Sequence, residues 1–251
     1  LLPDLAGEVE TGSELTVMTY NVLYSNQDNE AVARIILTYR PDIVALQEVQ
    51  PAMMAALAEK LAQDYPYSRM GSEHTYGTTA VYSRYPLSEV QILDLQADRP
   101  AVVVKARVQE REITFAALHL LAYGLRWVPL PEIPQAVIER TMSQNQQAQI
   151  LLKRLRGSDG IVLVGCDCNS YETSSSYRIL AREMRSAARQ TGWGQEANDL
   201  AQASPDTELQ HIDYVWYRGG IEAVRTYVIE DSGGSDHQPV LVKFGFTEEA
   251  R

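Results

Sequence analysis

Two periodicities of apolar and polar residues run along this chain and change over at Gly, Pro, Asn and Asp. Residues 15–20 (LTVMTY) form a short apolar run that reads as a strand, with Asn21 at its end. Over residues 28–40 the apolar positions Ala31, Val32, Ile35, Ile36 and Tyr39 recur at helical spacing. Asp28 or Asn29 caps that helix and Pro41 ends it. Residues 42–46 (DIVAL) predict a short buried strand that carries Gln47 and Glu48 out of its end. A second helix starts near Pro51, with Met54, Leu57 and Leu61 on one face. Proline suits a first helical turn, where its missing N–H costs nothing.

The middle of the chain is strand-rich. Residues 79–82, 90–95, 101–108 and 113–118 all read as strands, with Glu110 and Arg111 in the turn between the last two. A helix rich in Gln and Leu covers residues 140–156 and stops at GSDG (157–160). The apolar run 161–164 (IVLV) then delivers the segment GCDCN. A helix near 176–189, a polar stretch to about residue 210, and strands over 214–217, 223–229 and 240–244 complete the chain. Many strands with helices inserted early and in the middle predict an α/β domain of two packed mixed sheets flanked by helices. No internal repeat or interdomain linker interrupts it. The expected organisation is a tail or linker over 1–14, one catalytic domain over 15–246 and a short tail over 247–251.

Composition bounds the function. Of 251 residues, 33 are acidic and 22 basic, a formal net charge of −11. Such a surface disfavours passive binding to nucleic acid, though not an enzyme that reaches phosphate through a metal. No run approaches the ~20 apolar residues needed to span a bilayer. The chain opens on Leu, so it is expected to act in the cytoplasm or, as a piece of an anchored or secreted precursor, outside it. The two cysteines, Cys166 and Cys168, share one face of an extended segment. That spacing predicts packed thiols too far apart for an easy mutual disulfide.

Short polar motifs stand beside the apolar runs: TYN (19–21), QE (47–48), HL (119–120), GCDCN (165–169), ID (212–213) and SDH (235–237). Together they supply the carboxylates, amides and histidines of a divalent-metal phosphoryl-transfer site. Glu48 is the best metal ligand, because Mg²⁺ takes hard oxygen ligands and needs few protein carboxylates. Asn21 and Asn169 can orient water or donate to a phosphoryl oxygen without adding charge. Asp167 and Asn169, two apart, share a face if the segment is extended. Asp213 can orient the His237 imidazole through its second nitrogen, leaving the pair to act as general base. His119 ends an apolar strand. His211, two before Asp213, is expected on the same face and near phosphate. His74 reads as peripheral. Gly233 and Gly234 permit a close backbone approach or form an ordinary turn.

This ordered set resembles the endonuclease/exonuclease/phosphatase superfamily of DNase I-like metal-dependent hydrolases, over nearly the whole domain from Thr19 to about Phe244. The resemblance implies a four-layer sandwich and Mg²⁺-dependent cleavage of a phosphate ester, with Mn²⁺ as a substitute. It implies metal ligation by Glu48 assisted by Asn21, with Asp236 as a second metal-side carboxylate. It implies a nucleophile-aligning Asp167 with Asn169 as partner, an acid–histidine pair of Asp213 and His237, and a phosphate-contacting His119. Two departures stand out: GCDCN carries one more residue after Gly165 than the usual GDxN, and His211 stands where an Arg often precedes the ID pair.

The substrate is open at this level. A phosphodiesterase using metal-activated water is expected. A DNA endo- or exonuclease, a lipid phosphodiesterase or inositol-phosphate phosphatase, and an inactive binding module are the alternatives. Leu125, Trp127, Val128, Leu130 and Ile133 lie among three prolines within 121–135. That segment is expected either to cover the core or to form a substrate lip at a membrane or lipid interface, with Trp127 as a contact. No obligate protein partner is evident.

Overall fold

The computed structural model of the chain describes residues 14–72, 76–96, 99–191 and 211–247. The expected tails (apart from Glu14 and Thr247), the polar stretch before His211, and His74 lie outside the described residues.

Two six-stranded mixed sheets form the centre. The first contains β1 (Glu14–Asn21), β2 (Ile43–Val49), β3 (Tyr67–Met70), β4 (Thr78–Ser83), β11 (Ile221–Val228) and β12 (Val240–Phe246), in the order β11-β12-β1-β2-β4-β3. The second contains β5 (Leu87–Leu93), β6 (Ala101–Val108), β7 (Arg111–His119), β8 (Ile161–Asp167), β9 (Arg185–Ser186) and β10 (Asp213–Arg218), in the order β5-β6-β7-β8-β10-β9. Helices α1 (Asn29–Tyr39) and α2 (Pro51–Leu61) cover the first sheet; α3 (Ile133–Leu155) and α4 (Ser175–Leu180) cover the second. The short α5 (Ala187–Thr191) follows β9.

Strand alternation builds these layers. Leu15 and Val17 of β1 face Leu163 and Phe115 in the core between the sheets, while Met18 and Tyr20 face Val32, Ile36 and Leu57 outside. On β8, Leu163 points inward and Val162, Val164 and Cys166 point to Leu151, Leu155 and Tyr177. The central strands of both sheets are therefore buried on both faces, which is why they read as continuous apolar runs.

Three elements differ from the sequence expectation. β3 is a short edge strand whose pattern of exposed and half-exposed positions carries little apolar signal. Helix α3 begins seven residues early, because Pro134 sits in its first turn, where proline is tolerated. The single helix expected near 176–189 is split into α4 and α5 by β9, where Ser186 pairs with Trp216 of β10.

The topology gathers the motif residues. The parallel pairs β1–β2 and β7–β8 end together, and the antiparallel neighbours β10 and β12 begin there. In register, Asn21 lies opposite Gln47, and Asp167 opposite both His119 and Asp213. The sheets approach closely just beneath this edge: an added Cβ at Gly165 would sit 2.5 Å from the Ala45 methyl and 3.3 Å from Thr19 Cβ.

Candidate active site

Glu48 reaches the edge through a backbone irregularity. Between Leu46↔Ala80 and Val49↔Thr78, β2 carries one residue more than β4, a β-bulge. Glu48 takes a left-handed φ of 60° there. Gly77 accommodates it, since a Cβ at Gly77 would lie 2.4 Å from the Glu48 carbonyl group. The bulge re-aims the carboxylate, whose Oε2 accepts from the Tyr24 backbone N–H at 3.0 Å. Below it, Gln47 donates to the Thr19 hydroxyl at 3.0 Å, tying the QE motif to TYN inside the core.

Asp167 is the hub. Its Oδ2 accepts from Asn21 Nδ2 at 2.8 Å and lies 3.2 Å from His119 Nε2 and 3.8 Å from His237 Nε2. Its Oδ1 accepts from the Asn169 backbone N–H at 3.1 Å. Burial, reinforced by the neighbouring Asp213 charge, pushes its pKa up to about 7 despite these donors. Burial also raises the Glu48 carboxyl, against the opposing pull of Arg99.

Asp213 Oδ2 accepts from His237 Nδ1 at 2.7 Å, both residues being buried. Nδ1–H is thus engaged and the lone pair lies on Nε2, facing Asp167. The loop carrying His237 is pinned. Tyr20 donates its hydroxyl to the Ser232 carbonyl at 2.6 Å, Asn26 donates to the Gly233 carbonyl at 3.0 Å, and Ser235 Oγ bridges from His237 N–H to the Asn21 carbonyl. The glycine pair therefore serves a held turn: Gly233, at a φ of 56°, packs where a Cβ would meet the Tyr20 hydroxyl and Ile35.

Arg99 is the site residue that sequence reading missed. It is buried, its Nη1 lies 2.6 Å from His119 Nδ1, and its Nη2 lies 3.6 Å from Glu48 Oε1. Burial first, and then the Arg99 charge, hold the His119 imidazole well below its ordinary pKa. Both ring nitrogens lie within 2.8 Å of Arg99 Nη1, and Nε2 also lies 3.2 Å from Asp167 Oδ2. The signal was available: the β6–β7 hairpin register, Val102↔Ala117, continued two residues outward, places Pro100 opposite His119.

The remaining residues divide. Asn21 Oδ1 accepts from Leu23 N–H at 3.0 Å while its amide donates to Asp167, so its side chain is committed to holding that carboxylate. Asn169 does not lie extended beside Asp167: it takes a left-handed φ of 43° and donates its side-chain amide to the Leu120 carbonyl at 3.1 Å. Gln144 of α3 bonds the Leu121 and Asn169 carbonyls, clamping both segments. Asp236, partly exposed, has one buried carboxylate oxygen with no hydrogen-bond partner among the described residues. His211 is half-buried ahead of β10, where burial lowers its imidazole and its carbonyl accepts from the Tyr214 hydroxyl. Trp127 is 78% exposed and makes its ring contact with Arg126. Its segment forms two 3-10 turns, Leu125–Trp127 and Leu130–Glu132, leading into α3. Among the described residues no helix is long and apolar enough to cross a membrane.

The cysteine expectation is overturned. Cys166 and Cys168 are joined in a disulfide that brackets Asp167. Their Cα atoms are 5.2 Å apart, inside the bridging range and well short of the roughly 6.6 Å of an extended strand. The chain bends as β8 ends, and that bend brings the two sulfurs together.

Asp167, Asp213 and His237 each offer a ligand atom within 4.8 Å of the others, a cluster able to hold a divalent cation. Glu48 lies beside it, its Oε1 4.0 Å from the His119 Nε2 that touches Asp167, so the donors are chiefly hard oxygens, the chemistry such an ion requires.

Residues 18–237 match the Endonuclease/Exonuclease/phosphatase family. Among solved structures, an endonuclease/exonuclease/phosphatase from Beutenbergia cavernae DSM 12333 superposes with a TM-score of 0.74 at 21% identity, covering 93% of this chain and 72% of that one. A family protein from Bacteroides vulgatus gives 0.74 at 16% identity, with 93% and 99% covered. D. rerio TDP2, solved with a single strand DNA product, gives 0.73 at 16% identity, with 93% and 99% covered. These likenesses concern the fold. A sequence search finds no similar curated protein.

Proposed function

Because the chain belongs to the Endonuclease/Exonuclease/phosphatase family, we propose that it is a divalent-metal-dependent phosphodiesterase in which water attacks phosphorus. The observation that carries this reading is the buried Asp213–His237 pair at 2.7 Å, its Nε2 facing Asp167. An imidazole anchored in this way takes a proton from water at Nε2, and Asp213 offsets the charge that results. Asp167 lies close enough to orient that water, and Asn21, His119 and the Asn169 N–H fix its rotamer.

Glu48, Asp236 and Asp167 supply the oxygens that would hold Mg²⁺ or Mn²⁺, with Asn21 as the residue that aims Asp167. When bound, the ion supplies positive charge that polarises the phosphoryl group. Arg99 presents N–H groups on the same side, suited to non-bridging phosphoryl oxygens, while His119 helps hold Asp167. Asn169 and Gln144 act on positioning alone. Residues 15–246 are taken as one catalytic domain.

Hydrolysis of bis(p-nitrophenyl) phosphate with Mg²⁺ or Mn²⁺ tests the proposal. Turnover is expected, with loss on EDTA addition and in Glu48→Gln. Turnover that survives both treatments removes the metal-dependent mechanism, and no turnover with either ion removes the diesterase assignment.

A further inference from the structure

Cys166 and Cys168 are the two cysteines of the chain, and the disulfide between them encloses one residue, Asp167. The bridge takes no part in the chemistry proposed above. It lies behind the site: both cysteines are fully buried and pack with Leu151, Tyr177 and Trp216 in the layer beneath α3 and α4. The carboxylate between them faces Asn21, His119 and His237 instead.

Bridge and carboxylate are mechanically coupled. Cys166 is still in the β8 ladder, opposite Leu118 and Tyr214. Cys168 has left it, its N–H donating to the Ile212 carbonyl at 2.8 Å, and Asn169 then turns left-handed at a φ of 43°. The two Cα atoms are held 5.2 Å apart, where an extended strand would set them roughly 6.6 Å apart. Two thiols cannot keep a bonded separation, since unbonded heavy atoms settle about 3.5–4.0 Å apart. The close-packed layer around them absorbs little of that difference. The remainder falls on the backbone of the residue between them, Asp167.

Resting on the phosphodiesterase reading above, we propose that Cys166 and Cys168 form a redox-modification site that switches the enzyme, active as the disulfide and nearly inactive as the dithiol. A reductant of the dithiol class attacks one sulfur as its thiolate and forms a mixed disulfide, while the other cysteine leaves as a thiolate and takes a proton. The second thiol of the reductant then closes its own ring and releases the first cysteine. Two electrons and two protons pass to the protein, and the reductant ends as a cyclic disulfide. Reclosing so short a loop costs little chain entropy, and no third cysteine competes for either sulfur. The change is therefore reversible. Burial makes it slow, because the sulfurs meet a reductant only on local opening.

Hydrolysis of bis(p-nitrophenyl) phosphate by the full chain tests this in three states: as the disulfide, after dithiothreitol treatment and removal of the reductant, and after reoxidation with oxidised glutathione. Thiol labelling counts the cysteines in each state. On reduction kcat is expected to fall by about 10²-fold, the scale of an ångström of misplacement, with little change in KM, and to recover on reoxidation. Cys166→Ala with Cys168→Ala is expected to show a low kcat that dithiothreitol does not change. The His119 and His237 ring signals are expected to shift on reduction in NMR spectra, with far-UV circular dichroism unchanged, which separates a re-aimed Asp167 from an unfolded chain. Fully labelled dithiol protein that keeps the kcat of the disulfide form overturns the switch and leaves the diesterase reading intact. So does a loss of kcat that comes with loss of the folded circular dichroism signal, or an equal loss in the double variant on treatment. Absence of turnover by the disulfide form sinks the diesterase reading, and the switch with it.

Discussion

Asp213 and His237, twenty-four residues apart in the chain, share a buried hydrogen bond of 2.7 Å from Nδ1 to Oδ2. The carboxylate opens β10 and the imidazole sits just ahead of β12, so strands in different sheets hold the pair. His237→Ala should lower kcat on a small diester by roughly 10²-fold or more. Asp213→Asn should also lower kcat, because an amide no longer favours the tautomer with its lone pair on Nε2. Unchanged kcat in either variant removes the pair from proton transfer.

Asp167 makes a pH prediction for the metal-free protein. Its folded pKa of about 7 exceeds the roughly 3.9 of an unfolded aspartate. The raised value means that the folded state binds the proton more tightly. The stability it contributes is fully present below about pH 4 and is lost as pH rises through about 7. In EDTA, Asp167→Asn should therefore gain melting temperature relative to wild type at pH 8 and show little gain at pH 5. A cation favours the ionised carboxylate, so added Mn²⁺ should stabilise the wild type more at pH 8 than at pH 5. Parallel pH profiles for the two proteins contradict the assignment.

The layers and most strands were legible because burial of both sheet faces leaves uninterrupted apolar runs, and the motif residues stand where those runs end. Asn21, Glu48 and Asp167 could be placed at one edge on that basis, whereas His237 reaches it on a loop. The bulge at Glu48 could not, since it depends on Gly77 across the sheet rather than on any local pattern. Asn169 was assigned an extended backbone it does not adopt, because its left-handed turn is set by contacts with Leu120 and Gln144. Arg99 carries no motif of its own and becomes visible only once β6 is paired with β7.

Gly77 tests the bulge. Its φ of 77° disfavours any side chain, and a Cβ would collide with the Glu48 backbone at 2.4 Å. Gly77→Ala should cost about 2 kcal/mol or more of stability. It should also weaken metal affinity, read by metal titration of the folded variant. A wild-type melting temperature and affinity would show that the β2–β4 approach is not needed.

The turn over residues 121–135 tests a lipid role. Trp127 is 78% and Leu130 83% exposed, so charging them should change stability by no more than about 0.5 kcal/mol. If this turn meets a lipid surface, Trp127→Asp with Leu130→Asp lowers turnover of bilayer-embedded esters and spares soluble ones. Equal turnover on both by the variant and the wild type removes the lipid contact.

The disulfide bracketing Asp167 constrains the bend that aims the carboxylate. Cys166 and Cys168 are fully buried, in the layer beneath α3 and α4, so a reductant reaches them only through local opening. Closing so short a loop limits the unfolded chain modestly, by about 1–2 kcal/mol in the loop-entropy account. Cys166→Ala with Cys168→Ala should therefore lower stability on that scale. Its larger effect should fall on kcat, because the bend then depends on the Cys168 N–H to Ile212 carbonyl and Leu120 N–H to Asp167 carbonyl bonds and on the Asn169 contacts. Thiol labelling of denatured, unreduced protein should find neither cysteine free. Labelling of both, with wild-type kcat in the double variant, would show that Asp167 is aimed without the bridge.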